Sequence, residues 1–152
     1  MKPVLVIGYG NPTRSDDGVG WYVADEIEKA FSDRVDVLKA HQLTLEMAED
    51  IKDRELVIFV DARADEGGDW IRSEKLSPDF KLGLTVHHLT PEVLLGACEG
   101  LFNKIPEAYI FSIKGVNFDF GEKLSEQTRN AADRAIEQIK GLILKECPKK
   151  LR

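Results

Sequence analysis

Carboxylate and imidazole side chains in this sequence stand at the ends of apolar runs. The stretch VIGYGNPTRSDDGVG, residues 6–20, contains the adjacent carboxylates Asp16 and Asp17. A further carboxylate, Asp61, directly follows the apolar run LVIFV. The chain has three histidines, and all of them follow apolar runs: His41, His87 and His88. Side chains of these types bind divalent metals or transfer protons, so their common position indicates that some of them share a site.

Two carboxylates with one imidazole form a donor set that suits a divalent metal. Hard oxygens with one borderline nitrogen fit nickel, zinc or manganese better than copper(I). Each residue also has a structural interpretation. Asp16 can cap the helix that follows, Asp17 can favour that helix's dipole, and Asp61 can form a turn. A histidine at the end of a strand is also commonly structural, and the residues alone leave these alternatives open.

The glycines between residues 8 and 20 do not match a nucleotide-binding loop. A dinucleotide fingerprint needs a third glycine where this chain has Thr13, and Pro12 removes an amide donor that a pyrophosphate needs. A Walker loop needs a Gly-Lys-Ser/Thr triplet, which does not occur. We therefore expect a tight turn that brings the backbone close to a neighbour, and the carboxylates favour a cation as that neighbour.

Nucleophilic side chains give weaker hypotheses than the metal-binding set. The sequence contains no GxSxG nucleophile elbow. Ser15 stands beside two carboxylates, which disfavour an alkoxide. Cys98 lies on the apolar side of a predicted helix and is interpreted as a core residue.

Alternating strand and helix signals predict the elements that position these residues. Apolar runs predict strands at 3–9, 35–40, 55–62, 82–88 and 108–114, with a short edge strand at 70–73. Helical periodicity follows these strands, with caps expected at Thr44, Thr90 and Ser125. The alternation predicts an α/β fold in three layers, with a mainly parallel twisted sheet flanked by helices, as one domain over residues 1–152. Ligands bind such sheets beyond the carboxyl ends of the strands.

A short pattern recurs at two predicted strand ends. HQLTLE begins at His41 and HHLTPE begins at His87, so both follow H-x-L-T-x-E. Aligning them sets His41 opposite His87 and Gln42 opposite His88. Both copies also fit ordinary helix starts that happen to follow a histidine.

Composition limits the classes of partner. Lys and Arg number 21 and Asp and Glu 27, which gives a net charge of −6. This balance disfavours binding to nucleic acid or to an anionic membrane. No stretch approaches the roughly 20 apolar residues of a membrane span, and the apolar run at the N-terminus breaks at Gly8, too early for a signal peptide. We expect a cytoplasmic protein.

Segments along nearly the whole chain are similar to one known family. The segments are VLVIGYGNPTRSDDGVG, HQLTLEMAEDI, LVIFVDA, TVHHLTPEVLL and NFDFGEKLS. Together they resemble the hydrogenase maturation proteases, endopeptidases that trim the C-terminus of the large subunit of nickel–iron hydrogenases. The similarity runs from Val4 to the last predicted helix, and its most specific part is GxGNxxxxDDGxG.

The resemblance implies a function and a set of site residues. The chain would remove a C-terminal peptide from the nickel-loaded precursor of a hydrogenase large subunit. The family's metal-contacting trio, matched residue by residue, falls on Asp17, Asp61 and His87. These residues would sense nickel already installed in the precursor, so the substrate contributes the metal and no organic cofactor is expected.

One segment departs from the family pattern. Many members have a glycine-rich turn where this chain has AHQLTLEM, which leaves open the hydrogenase it serves and can bring His41 close to the site. An alternative function is a non-catalytic nickel chaperone or checkpoint module that binds the loaded large subunit without cutting it. An NAD-binding domain is a third hypothesis, which the missing glycine at position 13 disfavours.

Overall fold

The computed structural model describes residues 1–80 and 89–148, and these form one five-stranded sheet with helices. The strands are β1 (Val4–Tyr9), β2 (Val35–Ala40), β3 (Leu56–Arg63), β4 (Ile71–Lys75) and β5 (Glu107–Lys114). The helices are α1 (Val19–Ala30), α2 (Met47–Ile51), α3 (Pro91–Phe102) and α4 (Glu126–Glu146), and a 3₁₀ turn at Ser15–Gly18 precedes α1. The strand predicted at 82–88 lies outside the described residues.

The sheet is mainly parallel, as the sequence predicts. Its strand order is β2-β1-β3-β5-β4. The first four strands in this order are parallel, and β4 pairs antiparallel with β5 at the edge. The edge strand predicted at 70–73 is therefore confirmed as β4. Because β1 and β3 are adjacent parallel strands, their carboxyl ends lie at the same edge of the sheet. The loop between β1 and α1, residues 10–18, starts at this edge and is called the opening loop, and Asp61 lies near the same end of β3.

Alternate residues of β1 face different helical layers. Val4 and Val6 pack in a core with residues of α1 and α4, whereas Leu5 and Ile7 pack in a second core with residues of α2 and α3. Side chains two residues apart share a face of a strand, so a strand covered on both faces must be apolar throughout. This explains the unbroken apolar run and confirms the three-layer fold. None of the helices in the two described ranges is long and apolar enough to cross a membrane.

Capping side chains start two of the helices. Thr90 accepts a hydrogen bond from the Val93 amide at 3.2 Å, and Ser125 accepts one from the Thr128 amide at 3.3 Å, which confirms both predicted caps. The cap predicted at Thr44 is wrong, because α2 begins at Met47 and no side chain caps it. A backbone turn replaces the cap, since the Met47 amide donates to the Thr44 carbonyl at 3.1 Å.

Candidate active site

A crevice of about 620 Å³ opens beyond the carboxyl ends of β1 and β3. Asp17 and Asp61 both line it, together with Tyr9 and Gly10 at the end of β1. Residues 41–46 after β2 and residues 89–91 at the start of α3 form its other walls. The topology therefore brings together carboxylates that are 44 positions apart in the sequence.

Glycines allow the opening loop to lie against its neighbours. A Cβ on Gly8 would lie 2.2 Å from the Gly20 carbonyl oxygen, and a Cβ on Gly20 would lie 2.5 Å from the Val60 carbonyl oxygen. Gly10 has a φ of 141°, and its Cβ would lie 2.2 Å from the Asp17 carbonyl oxygen. Any larger residue would push the loop off α1 and β3. The tight turn is confirmed, and the close neighbours of these glycines among the described residues are backbone atoms of the chain. The cation expected near the carboxylates of this loop stays a prediction.

The Asp17 carboxylate is held at one oxygen and lines the crevice. Its Oδ2 accepts a hydrogen bond from the Asn11 amide at 2.8 Å. Its own amide donates to the Arg14 carbonyl at 3.1 Å, which closes the turn that carries it. Among the described residues, the Asn11 amide is the sole hydrogen-bond donor to this carboxylate, so its remaining lone pairs are free to bind a ligand in the crevice.

The Asp61 carboxylate is mostly withdrawn from water. Burial raises its pKa to about 6, and the nearby Asp17 carboxylate adds to the rise. The Ala62 amide, which donates to Oδ1 at 2.7 Å, and the Tyr9 hydroxyl both oppose it. The pKa of Tyr9 is itself raised, first by burial and then by the Asp61 carboxylate. Negative charge on Asp61 is therefore unfavourable unless a cation or a proton compensates it.

Asp16 points away from the crevice, although it directly precedes Asp17. It is fully buried and accepts hydrogen bonds at 2.7–3.0 Å from five donors. The donors are the amides of Val116, Asn117 and Ser125 and the hydroxyls of Ser125 and Thr128. Burial by itself raises the pKa of Asp16, but these hydrogen bonds outweigh it and hold the pKa below its ordinary value. Asp16 thus binds the opening loop to the segment before α4, and the interpretation of Asp16 as a cap of α1 is wrong.

Of the three predicted metal-contacting residues, the structure describes two, Asp17 and Asp61. Asp17 and Asp61 share the crevice, as expected. His87 lies outside the described residues, as does His88, so the third position stays a prediction. Within residues 1–80 and 89–148, no three His, Cys, Asp or Glu side chains come together as a metal site. His41 lines the crevice, with its ring edge-on to Trp21 at a centroid distance of 5.7 Å.

Two features of the site escaped sequence reasoning. Tyr9 contacts Asp61, and its position at the end of β1 was a usable signal, because the rule that selects Asp61 applies equally to Tyr9. No pattern in the sequence indicated which residues donate hydrogen bonds to Asp16. Ser125 and Thr128 lie more than 100 positions away from Asp16 in the chain, and only the fold brings them together.

A known protein is similar in sequence to this chain over nearly its whole length. A protein of Methanocaldococcus jannaschii that carries the name "Putative hydrogenase maturation protease MJ0253" is 31% identical over 154 aligned positions. The alignment covers 95% of this chain and 98% of the relative. No protein-family model matches the chain.

Solved structures share the fold. The hydrogenase maturating endopeptidase HybD from Escherichia coli superposes with a TM-score of 0.77 at 18% identity, covering 97% of this chain and 94% of that one. The hydrogenase 2 maturation peptidase from a Thaumarchaeota archaeon gives 0.68 at 24% identity, with 93% and 98% covered. The maturation protease HycI from Thermococcus kodakarensis gives 0.67 at 22% identity, with 92% and 91% covered. At these identities the likeness establishes the architecture.

Proposed function

The chain belongs to the hydrogenase maturation proteases, and on this premise we propose that it removes a C-terminal peptide from the nickel-loaded precursor of a nickel–iron hydrogenase large subunit. The observation that carries the proposal is the meeting of Asp17 and Asp61 in one crevice at the carboxyl ends of β1 and β3. In this proposal both carboxylates contact the nickel of the precursor, and His87 is the third contact.

Electrostatics supports a cation between the two carboxylates. Burial and the Asp17 charge raise the pKa of Asp61 to about 6, so two ionised carboxylates repel each other in a poorly hydrated place. A divalent cation removes that repulsion. Three protein ligands leave coordination positions free for groups of the precursor, which supports a metal that arrives with the substrate.

The crevice also suits the hydrolysis of a peptide bond. Its volume of about 620 Å³ accommodates several residues of an extended chain. Hydrolysis joins the oxygen of water to the carbonyl carbon, breaks the bond from that carbon to nitrogen, and leaves the new amine with a proton. By holding the nickel-bearing part of the precursor, Asp17 and Asp61 would fix the scissile bond in position for this attack, and fixed geometry is a large source of rate enhancement.

The test compares nickel-loaded and metal-free precursor. Each is incubated with the protein, and the intact mass of the large subunit is measured over time. We expect the loaded precursor to lose a short C-terminal peptide and the metal-free precursor to keep its full mass. Equal cleavage of both would contradict nickel dependence. Binding of the loaded precursor without any loss of mass would instead support the checkpoint module.

A further inference from the structure

An arginine and a phenylalanine form an exposed pair at the opening loop. The Arg14 guanidinium carbon lies 3.9 Å from the centroid of the Phe120 ring, and Phe120 is 80% exposed. Arg14 belongs to the opening loop and Phe120 to the segment between β5 and α4. We refer to these two residues as the Arg14–Phe120 platform. Arginine and aromatic side chains are the types enriched where partner proteins bind most strongly.

Backbone hydrogen bonds hold the platform in one arrangement. The Ser15 amide donates to the Gly121 carbonyl at 2.8 Å, and the Gly121 amide donates to the Thr13 carbonyl at 2.9 Å. Arg14 and Gly121 thereby form a short parallel bridge. The two loops that carry the platform are thus joined on both sides of it. A binding surface that is already ordered loses less conformational entropy when a partner docks.

The charge of Arg14 is not neutralised by a carboxylate of the described residues. The net charge is −6, yet Arg14 forms no ion pair within the described residues. Stacking on the Phe120 ring occupies a face of the guanidinium, and the N–H groups at its edge donate no hydrogen bond to another residue in the described ranges. A carboxylate can accept two hydrogen bonds from such an edge.

We propose that the Arg14–Phe120 platform docks an extended segment of the large-subunit precursor in which a carboxylate lies next to an apolar side chain. The carboxylate binds the Arg14 guanidinium, and the apolar side chain packs on the exposed part of the Phe120 ring. The inference rests on the proposed function. Arg14 is three residues from Asp17, whose amide donates to the Arg14 carbonyl at 3.1 Å, so the platform is on the same turn as a residue that lines the crevice.

The first experiment measures steady-state cleavage of the nickel-loaded precursor by Arg14→Glu and Phe120→Ala. Arg134→Glu is the matched control, because it makes the same charge change at an exposed position of α4. We expect KM to rise about 10-fold for Arg14→Glu and about 5-fold for Phe120→Ala, with kcat within about 2-fold of the wild type, since only docking is lost. Added salt should raise the KM of the wild type more than that of Arg14→Glu.

Unchanged KM in both variants would overturn the proposal, and so would an equal rise in Arg134→Glu. A fall in kcat alone would also overturn it, because Arg14 would then act on the geometry of the opening loop. A dimer of the wild type that Phe120→Ala dissociates would show that a second copy of the chain is the occupant, which contradicts the proposal.

A second measurement separates this inference from the proposed function. The affinity of the metal-free precursor for wild type, Arg14→Glu and Arg134→Glu is determined by calorimetry. If the wild type cleaves nothing, the proposed function fails, but an affinity loss confined to Arg14→Glu still supports the platform. Equal affinities, or no binding by the wild type, contradict the platform whatever the cleavage assay shows.

Discussion

Asp16 and Asp17 are neighbours in the chain but lie in different surroundings. Asp16 is fully buried and satisfied by five donors from the segment before α4 and from α4 itself. Asp17 lines an open crevice, and a single amide among the described residues, that of Asn11, donates to it. One carboxylate is therefore used to fasten the loop, and the other is left with lone pairs for a ligand.

The difference in the number of accepted hydrogen bonds shows how a site residue can be held in place and still keep lone pairs for a ligand. A carboxylate that accepts many hydrogen bonds is stabilised as an anion but has little capacity to bind anything else. Asp16 supplies most of the anchoring for the opening loop, so Asp17 is held with a single protein donor among the described residues, the Asn11 amide. Substitutions of Asp16 and its donors should therefore lower stability more than cleavage. Substitutions of Asp17 and Asp61 should abolish cleavage without unfolding the protein.

The largest expected effect is the loss of processing in Asp61→Asn. The substitution keeps the shape of the side chain and removes the charge that attracts the nickel, so cleavage of loaded precursor should fall below detection. The fold should not suffer. Because the pKa of Asp61 is about 6 in the fold against about 3.9 in the unfolded chain, its ionisation opposes folding as pH rises through that interval.

Thermal unfolding checks the prediction that ionisation of Asp61 opposes folding. At pH 7 the Asp61→Asn variant should melt at a higher temperature than the wild type, and at pH 3.5 the difference should vanish, because both side chains are then neutral. A folded Asp61→Asn variant that cleaves at the wild-type rate would show that Asp61 is not a site residue.

His87 and His88 are a second pair of adjacent residues of which we expect only one to serve the site. Successive residues of a regular strand point to opposite faces, so His87 and His88 cannot both aim at the crevice if the strand is regular there. Both the family resemblance and the recurrence of H-x-L-T-x-E favour His87. We expect His87→Ala to eliminate cleavage of loaded precursor and His88→Ala to keep most of it, with circular dichroism to verify folding. The reverse pattern would overturn the assignment.

Removal of the Asp16 carboxylate should lower the free energy of unfolding strongly and the rate of precursor cleavage only slightly. Asp16→Ala leaves three backbone amides and the Ser125 hydroxyl without their acceptor, while the Thr128 hydroxyl keeps the Lys114 carbonyl. We expect this to cost about 3 kcal/mol of unfolding free energy. The pKa of Asp16 is lowered in the fold, so the ionised carboxylate stabilises the protein above the unfolded pKa of about 3.9.

That stabilisation is lost as pH falls through the folded pKa. Urea unfolding should therefore show a constant gap between wild type and Asp16→Ala at neutral pH and a narrowing gap below about pH 4. A gap that widened in acid would contradict the assigned role of Asp16, and the sign is opposite to that expected for Asp61.

The smallest expected effect is that of Ser125→Ala. Its hydroxyl donates to Asp16 at 2.8 Å and also caps α4 through the Thr128 amide. Losing both should cost about 1–2 kcal/mol, while processing at a permissive temperature stays close to wild type. Thr90→Ala, which removes only a cap, is the matched control and should cost less. Equal losses in the two variants would mean that the hydrogen bond to Asp16 contributes little.

Local sequence signals predicted the fold well and predicted two of the residues that line the crevice, Asp17 and Asp61. Unbroken apolar runs and the caps at Thr90 and Ser125 depend on neighbouring residues, so a single sequence reveals them. The strand-end rule brought Asp17 and Asp61 together correctly, because parallel topology places the carboxyl ends of strands at one edge. It could not show which of Asp16 and Asp17 faces the crevice, since that depends on donors from Val116 and Ser125, which only the folded chain delivers.

The most direct test compares Asp16→Asn and Asp17→Asn in the same cleavage assay with nickel-loaded precursor. The assay is run at a low temperature at which circular dichroism shows both variants folded, and the intact mass of the large subunit is followed. We expect Asp16→Asn to cleave within about 10-fold of the wild-type rate, because its effect is on stability, and Asp17→Asn to cleave nothing. A folded Asp17→Asn variant with full activity beside a folded but inactive Asp16→Asn variant would contradict the division of roles between the two carboxylates.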